Sequence, residues 1–129
     1  MIYAFKIIKD IKKIIFLDGD DCMVQKDLNL LYSLNMEDIY VRGLIEDPSI
    51  FRSVSWMDKY LFDRSHYINS GVMLINLELC QQSNIYDQAR RLNNDEFYLK
   101  TEEPLQDIIN VLMRKKIEFL GPRYNKINF

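Results

Sequence analysis

The run Lys12-Lys13-Ile14-Ile15-Phe16-Leu17-Asp18-Gly19-Asp20-Asp21 sets the terms for the chain around it. Four consecutive apolar residues, two of them β-branched, fit a strand buried on both faces. Three acids cannot continue such a strand, because each ionised carboxylate would have to leave water. The strand is therefore expected to end at Asp18 and surface there. Gly19 lets the backbone turn sharply or approach a ligand closely. Asp18 and Asp20 stand two residues apart, so one turn can aim both carboxylates at a single cation. A hard divalent ion with oxygen ligands, Mn²⁺ or Mg²⁺, suits such a pair. An ordinary acidic turn accounts for the same residues, since Asp-Gly is common turn chemistry.

Two other patterns compete for the stretch. An EF-hand loop requires Gly at its sixth position and Glu at its twelfth, where this chain has Met23 and Asn29. A haloacid-dehalogenase-type phosphatase also ends an apolar strand in Asp-x-Asp, with Asp18 then the nucleophile. That family has Thr or Val two residues after the second Asp, and here Cys22 stands there.

With 129 residues, the chain has room for one small domain with one core, residues 1–129. An apolar share of 48% places it among globular rather than disordered proteins. The net charge of −2 gives no electrostatic case for nucleic acid. Cys22 and Cys80 lack CxxC spacing and a neighbouring His, and read as reduced, partly buried thiols of a cytoplasmic protein. Lys6, Lys9 and Asp10 interrupt the N-terminal apolar residues, so no signal peptide is expected. No stretch approaches the ~18 uninterrupted apolar residues of a membrane span, which leaves peripheral contact as the only membrane association expected.

Alternating elements follow. Apolar residues at 4, 7, 8 and 11 predict a helix within residues 2–11. Asp27 is expected to cap a helix with Leu28, Leu31 and Tyr32 on its inner face. Residues 38–45 read as a second strand, broken by Glu46-Asp47-Pro48-Ser49. Trp56, Met57, Tyr60 and Leu61 suggest a helix over 56–63, and residues 46–66 a variable acceptor-facing segment in which Asp47 is a candidate contact. Val72 to Ile75 reads as a buried strand, with Asn69-Ser70-Gly71 as a turn at its entrance. Helices are expected around Ile85, Ala89 and Leu92, and again from Pro104 with the stripe Leu105, Ile108, Ile109, Leu112 and Met113. Gln106 and Asp107 lie beside that stripe, where polar groups can face a cleft. Ile117 to Leu120 is a last short strand. The pattern is that of an α/β protein with a mixed, mostly parallel sheet flanked by helices. Ligands of such sheets sit outside the strand ends.

The order of features is specific. Leu17-Asp18-Gly19-Asp20, Asp27-Leu28, the run Tyr67 to Leu77 containing Asn69-Ser70-Gly71, Gln106 to Asn110, and Tyr124-Asn125 succeed one another. This succession closely resembles the family 8 glycosyltransferases, which include bacterial lipopolysaccharide galactosyl- and glucosyltransferases and glycogenin. The dehalogenase pattern contains neither of the later motifs. The resemblance implies a GT-A fold, a nucleotide diphosphate sugar donor (usually a uridine one), a saccharide acceptor and transfer with retention at the anomeric carbon. By the same resemblance Asp18 and Asp20 would bind Mn²⁺ or Mg²⁺, Asn69 and Gln106 would line the donor-sugar pocket, and Asp18 and Asp107 would contact the donor. Gln106 would be the catalytic residue. Its neutral amide oxygen suits an oxocarbenium-like sugar carbon.

The chain departs from the family pattern in places. Leu105 stands where the family has an Asp before Gln-Asp. The family's third metal ligand is a C-terminal His, and His66 lies elsewhere. Lys6 is the nearest match to an Arg expected before the metal strand. The N-terminal uridine-binding unit and the C-terminal segment are expected to be missing, so that the chain forms a partial domain whose exposed sheet edge invites self-association. The alternative to a working transferase is an inactive remnant serving as an interaction module.

Overall fold

Strand β1, Lys13–Leu17, stops one residue short of Asp18, where the acids begin. The structure is a computed structural model describing residues 1–20, 22–47, 63–93 and 103–125. Asp21, Pro48, Ser49, Trp56 and the helix expected over 56–63 lie outside the described residues.

The described residues form one four-stranded sheet in the order β1-β3-β2-β4, where β2 is Val41–Ile45, β3 Ile68–Asn76 and β4 Ile117–Phe119. It is mixed, as expected, but it is not mostly parallel. β3 runs antiparallel to both β1 and β2, and only β2 and β4 pair in parallel. A continuous apolar run reports burial on two faces and carries no information on strand direction, so the sequence left direction open.

Two-faced burial itself holds. Met73 and Ile75 of β3 pack in one apolar cluster, while Val72 and Leu74 pack in another on the opposite face. Met73, Leu74 and Ile75 are fully buried, each worth about 1.5–3 kcal/mol relative to exposure. Ile14 and Phe16 of β1 join the first cluster, and Ile15 and Leu17 the second. β1 is only half-buried along its length because it lies at an edge of the described sheet.

Helices cover both faces, most of them the first and the one carrying Leu31 the second. α1 is a single turn, Ala4–Ile7, shorter than the spacing predicted. Its anchor is Phe5, while Ile7 and Ile11 are exposed. α2 spans Asn29–Tyr32 with Leu28 at its N-cap position, and Asp27 just ahead of it accepts the Asn29 N–H at 2.9 Å. Leu31 is its buried residue, whereas Tyr32 is exposed. β3 ends because Asn76 turns its side chain to cap α3, Leu77–Gln82, accepting from the Leu79 N–H at 3.0 Å. α4, Ile85–Asn93, buries Ile85 and Ala89 as its spacing predicts. α5, Pro104–Met113, begins with Pro in its first turn and buries Ile108, Ile109 and Met113. Among the described residues no helix is long and apolar enough to cross a membrane.

This topology decides where the polar side chains collect. β1 and β2 flank β3 and run against it, so their C-terminal ends both meet the start of β3. β4, parallel to β2, ends at the same side. Asp18, Glu46 and Asn69-Ser70-Gly71 are thereby gathered at one end of the sheet.

Candidate active site

Asn69-Ser70-Gly71 is not a turn. It belongs to β3, where the pairing with β2 is irregular: the two steps from Gly43 to Ile45 face the five from Met73 to Ile68. Such a bulge leaves backbone groups of the longer strand without ladder partners. Side chains supply them. The Ser70 N–H donates to Gln106 Oε1 at 2.7 Å, and the Gly71 N–H to Asn69 Oδ1 at 2.8 Å. On the other side, the Asp18 N–H donates to the Gly71 carbonyl at 2.8 Å, extending the β1–β3 ladder by one rung.

Gly71 is required for steric rather than conformational reasons. A Cβ there would fall 2.9 Å from Asn69 Oδ1, so the Asn69 side chain would have to shift. Asn69 is further held by Asn125, whose Nδ2 donates to Oδ1 at 3.1 Å. The amide ends of Asn69 and Gln106 both donate to Glu46 Oε2, at 2.8 and 3.2 Å. With N–H donors on one side and a carboxylate on the other, neither amide can be reversed without losing bonds.

α5 delivers Gln106 in its first turn, and Asn110 fastens that turn to the sheet. Asn110 is fully buried. Its Oδ1 accepts the Ile68 N–H at 2.8 Å, and its Nδ2 donates to the carbonyls of Ile68 and Gln106 at 2.8 and 2.9 Å. Asp107 faces the core rather than an open cleft. It accepts a 2.6 Å hydrogen bond from the buried Tyr67 hydroxyl. Burial first, and then the Asp107 charge, raise the Tyr67 phenol well above its ordinary 10.0. Leu105, where the family pattern has an acid, packs against the apolar core.

The acidic turn is short. The Asp18 carbonyl accepts the Cys22 N–H at 3.1 Å, while Cys22 Sγ donates to the Gly71 carbonyl at 3.3 Å. Asp18 is half-buried, and Asp20 and Asp47 are exposed. Among the described residues no three His, Cys, Asp or Glu side chains form a metal-holding group. His66 has no part in the acidic turn. Its exposed ring lies 3.3 Å from Asp63 and against Phe119. Lys6 Nζ lies over the Tyr86 ring on α4.

The structure sets Asp18, Asn69 and Gln106 around Ser70-Gly71 at one end of the sheet, and sequence reasoning missed Glu46, which joins the two amides. Its signal was present. Glu46 ends an apolar β-rich run just as Asp18 does, but the Pro48-Ser49 that follows made it look like a loop residue.

A family model described as Glycosyl transferase family 8 matches residues 1–128. A putative glycosyltransferase of Haemophilus influenzae is 25% identical over 121 residues, covering 93% of this chain and 36% of the relative. The lipopolysaccharide 1,2-glucosyltransferase of Escherichia coli is 31% identical over 116 residues, covering 88% of this chain and 34% of the relative. Among solved structures, the galactosyltransferase LgtC in complex with donor and acceptor sugar analogues superposes with a TM-score of 0.78. At 24% identity, over 95% of this chain and 43% of LgtC, that likeness is one of fold. The chain thus spans less than half the length of each.

Proposed function

The chain belongs to glycosyltransferase family 8, and on that footing we propose that it supplies the donor-sugar and metal end of a retaining hexosyltransferase. The donor is a nucleotide diphosphate sugar, a uridine one in the first instance, and the acceptor a saccharide. The relative named for lipopolysaccharide supports surface-glycan synthesis as the setting. One observation carries the reading. The backbone of Ser70-Gly71 is bonded to Gln106 on one side and to Asp18 on the other, so one dipeptide joins the amide group to the acidic turn.

The chemistry follows from that spacing. Asp18 and Asp20 would hold a divalent cation, which would supply neutralisation of the charge on the departing diphosphate. Asn69 orients the donor sugar. Gln106, whose Oε1 already accepts the Ser70 N–H, is the residue assigned to the sugar carbon, which turns cationic as the glycosidic bond breaks. Asp107, tied to Tyr67, fixes the α5 turn that carries Gln106. β1 has a single strand neighbour among the described residues, which supports self-association along that edge.

Thermal unfolding with Mn²⁺ and a uridine diphosphate hexose tests the proposal. Ligand at 100 times its Kd adds about 2.7 kcal/mol and raises the melting temperature. A folded chain indifferent to both at saturating concentration overturns the proposal and leaves an interaction module.

A further inference from the structure

Glu46 is 3% exposed at the end of β2. Its Oε2 accepts from both Asn69 Nδ2 and Gln106 Nε2, and its Oε1 accepts the Asp47 N–H at 3.1 Å. Every one of these contacts is a donor, the pattern that an ionised carboxylate calls for. No lysine or arginine among the described residues pairs with it. A buried acid without a cationic partner is costly. Three well-placed N–H groups offset part of that cost, yet a packed apolar residue would avoid it altogether. The rest of the explanation lies in what the acid holds.

We infer that Glu46 is a positioning residue for the sugar transfer proposed above. It turns the N–H ends of both amides toward itself and sets its own negative charge behind them. Two consequences follow. The amides keep one orientation, so Gln106 Oε1 stays on the Ser70 side. The fixed charge also lowers the energy of a cationic sugar carbon in front of the amides, in surroundings where little water screens it. Glu46 forms no bond to the sugar and moves no proton. Its role depends on the transfer reading being correct.

The test uses the full chain with Glu46→Gln and Glu46→Asp. Two readouts are needed: the side-chain NH₂ signals of Asn69 and Gln106 in ¹⁵N-labelled protein without ligand, and Mn²⁺-dependent turnover of a uridine diphosphate hexose. Glu46→Gln shifts both NH₂ signals and lowers kcat about 100-fold, with KM nearly unchanged. Glu46→Asp keeps the charge on a shorter stem and regains part of kcat. Unmoved amide signals beside normal turnover overturn the inference alone. So does a loss of turnover carried wholly by KM, or one that tracks a fall in the folded fraction. An unsubstituted chain that neither binds nor turns over the donor overturns the transfer reading and this inference with it.

Discussion

Ser70 gives its backbone N–H to Gln106 Oε1 at 2.7 Å across 36 positions of sequence. A strand amide inside a sheet ordinarily finds its acceptor on the neighbouring strand. Here the bulge opposite Gly43–Ile45 removes that acceptor, and a helix side chain replaces it. The same bond that satisfies the backbone also fixes the direction of the Gln106 amide. Fold and proposed chemistry are therefore coupled at this point, and damage to one is expected to reach the other.

Gly71→Ala tests that coupling at its tightest contact. The new Cβ meets Asn69 Oδ1 at 2.9 Å and forces the side chain off the Gly71 N–H. Backbone strain does not contribute, since Gly71 has no positive φ. The expected loss of stability is about 1 kcal/mol, one hydrogen bond's worth. Donor binding, followed by calorimetry, is expected to fall much further. A variant that binds as the native chain does would show that Asn69 does not touch the donor.

Asn110→Ala should be among the most destabilising polar substitutions. It removes three buried hydrogen bonds and leaves the Ile68 N–H without its acceptor. The expected cost is about 2–4 kcal/mol by urea denaturation. Asn110→Asp keeps an acceptor for the Ile68 N–H but sets a carboxylate oxygen against two carbonyls. It is expected to destabilise at least as strongly at neutral pH and to recover partly in mild acid. Equal stability of all three chains would show that Asn110 does not anchor α5.

How much of this was legible depended on which physical signal each residue carried. Ile14–Leu17 and Val72–Ile75 announced strands with both faces apolar, fully buried in β3 and half-buried in β1. Pro104 announced the start of α5 through its fixed φ and missing N–H. Strand direction and the bulge were not legible, since register depends on pairing partners distant in sequence. That is why Asn69-Ser70-Gly71 read as a turn. Glu46 and Asn110 were missed for a related reason. A polar residue looks exposed until the fold shows which backbone groups need it.

Stability in alkali should decline in two stages. Burial pushes the Cys80 thiol up to about 12 from an ordinary 9.0. It also raises the Tyr67 phenol above 10.0. Both groups hold their protons more tightly when folded than when unfolded. Their contributions are complete below the unfolded values and are lost as pH rises through the folded ones. The urea midpoint is therefore expected to fall from pH 9.0 upward and more steeply beyond 10.0. Cys80→Ala removes the first stage. Tyr67→Phe removes the second, but lowers stability at every pH because Asp107 loses a donor. An unchanged profile in Cys80→Ala would contradict burial as the cause.

The two thiols also report on the acidic turn. Cys80 is fully buried, whereas Cys22 is half-buried, with its Sγ on the Gly71 carbonyl beside Asp18. Brief alkylation of the native chain should therefore modify Cys22 first, with Cys80 reacting only on unfolding. On the proposed function, a cation held by Asp18 and Asp20 would, together with a nucleotide sugar, cover this turn. Mn²⁺ plus a uridine diphosphate hexose is thus expected to slow Cys22 labelling several-fold, as followed by mass spectrometry. Mn²⁺ alone should do so weakly, because two carboxylates bind the ion loosely without the diphosphate. Asp20→Asn removes one of the two ligands and lies at an exposed position. It should abolish the protection while leaving the melting temperature of the free chain unchanged. Protection that survives in Asp20→Asn would place the cation elsewhere and detach the acidic turn from the donor.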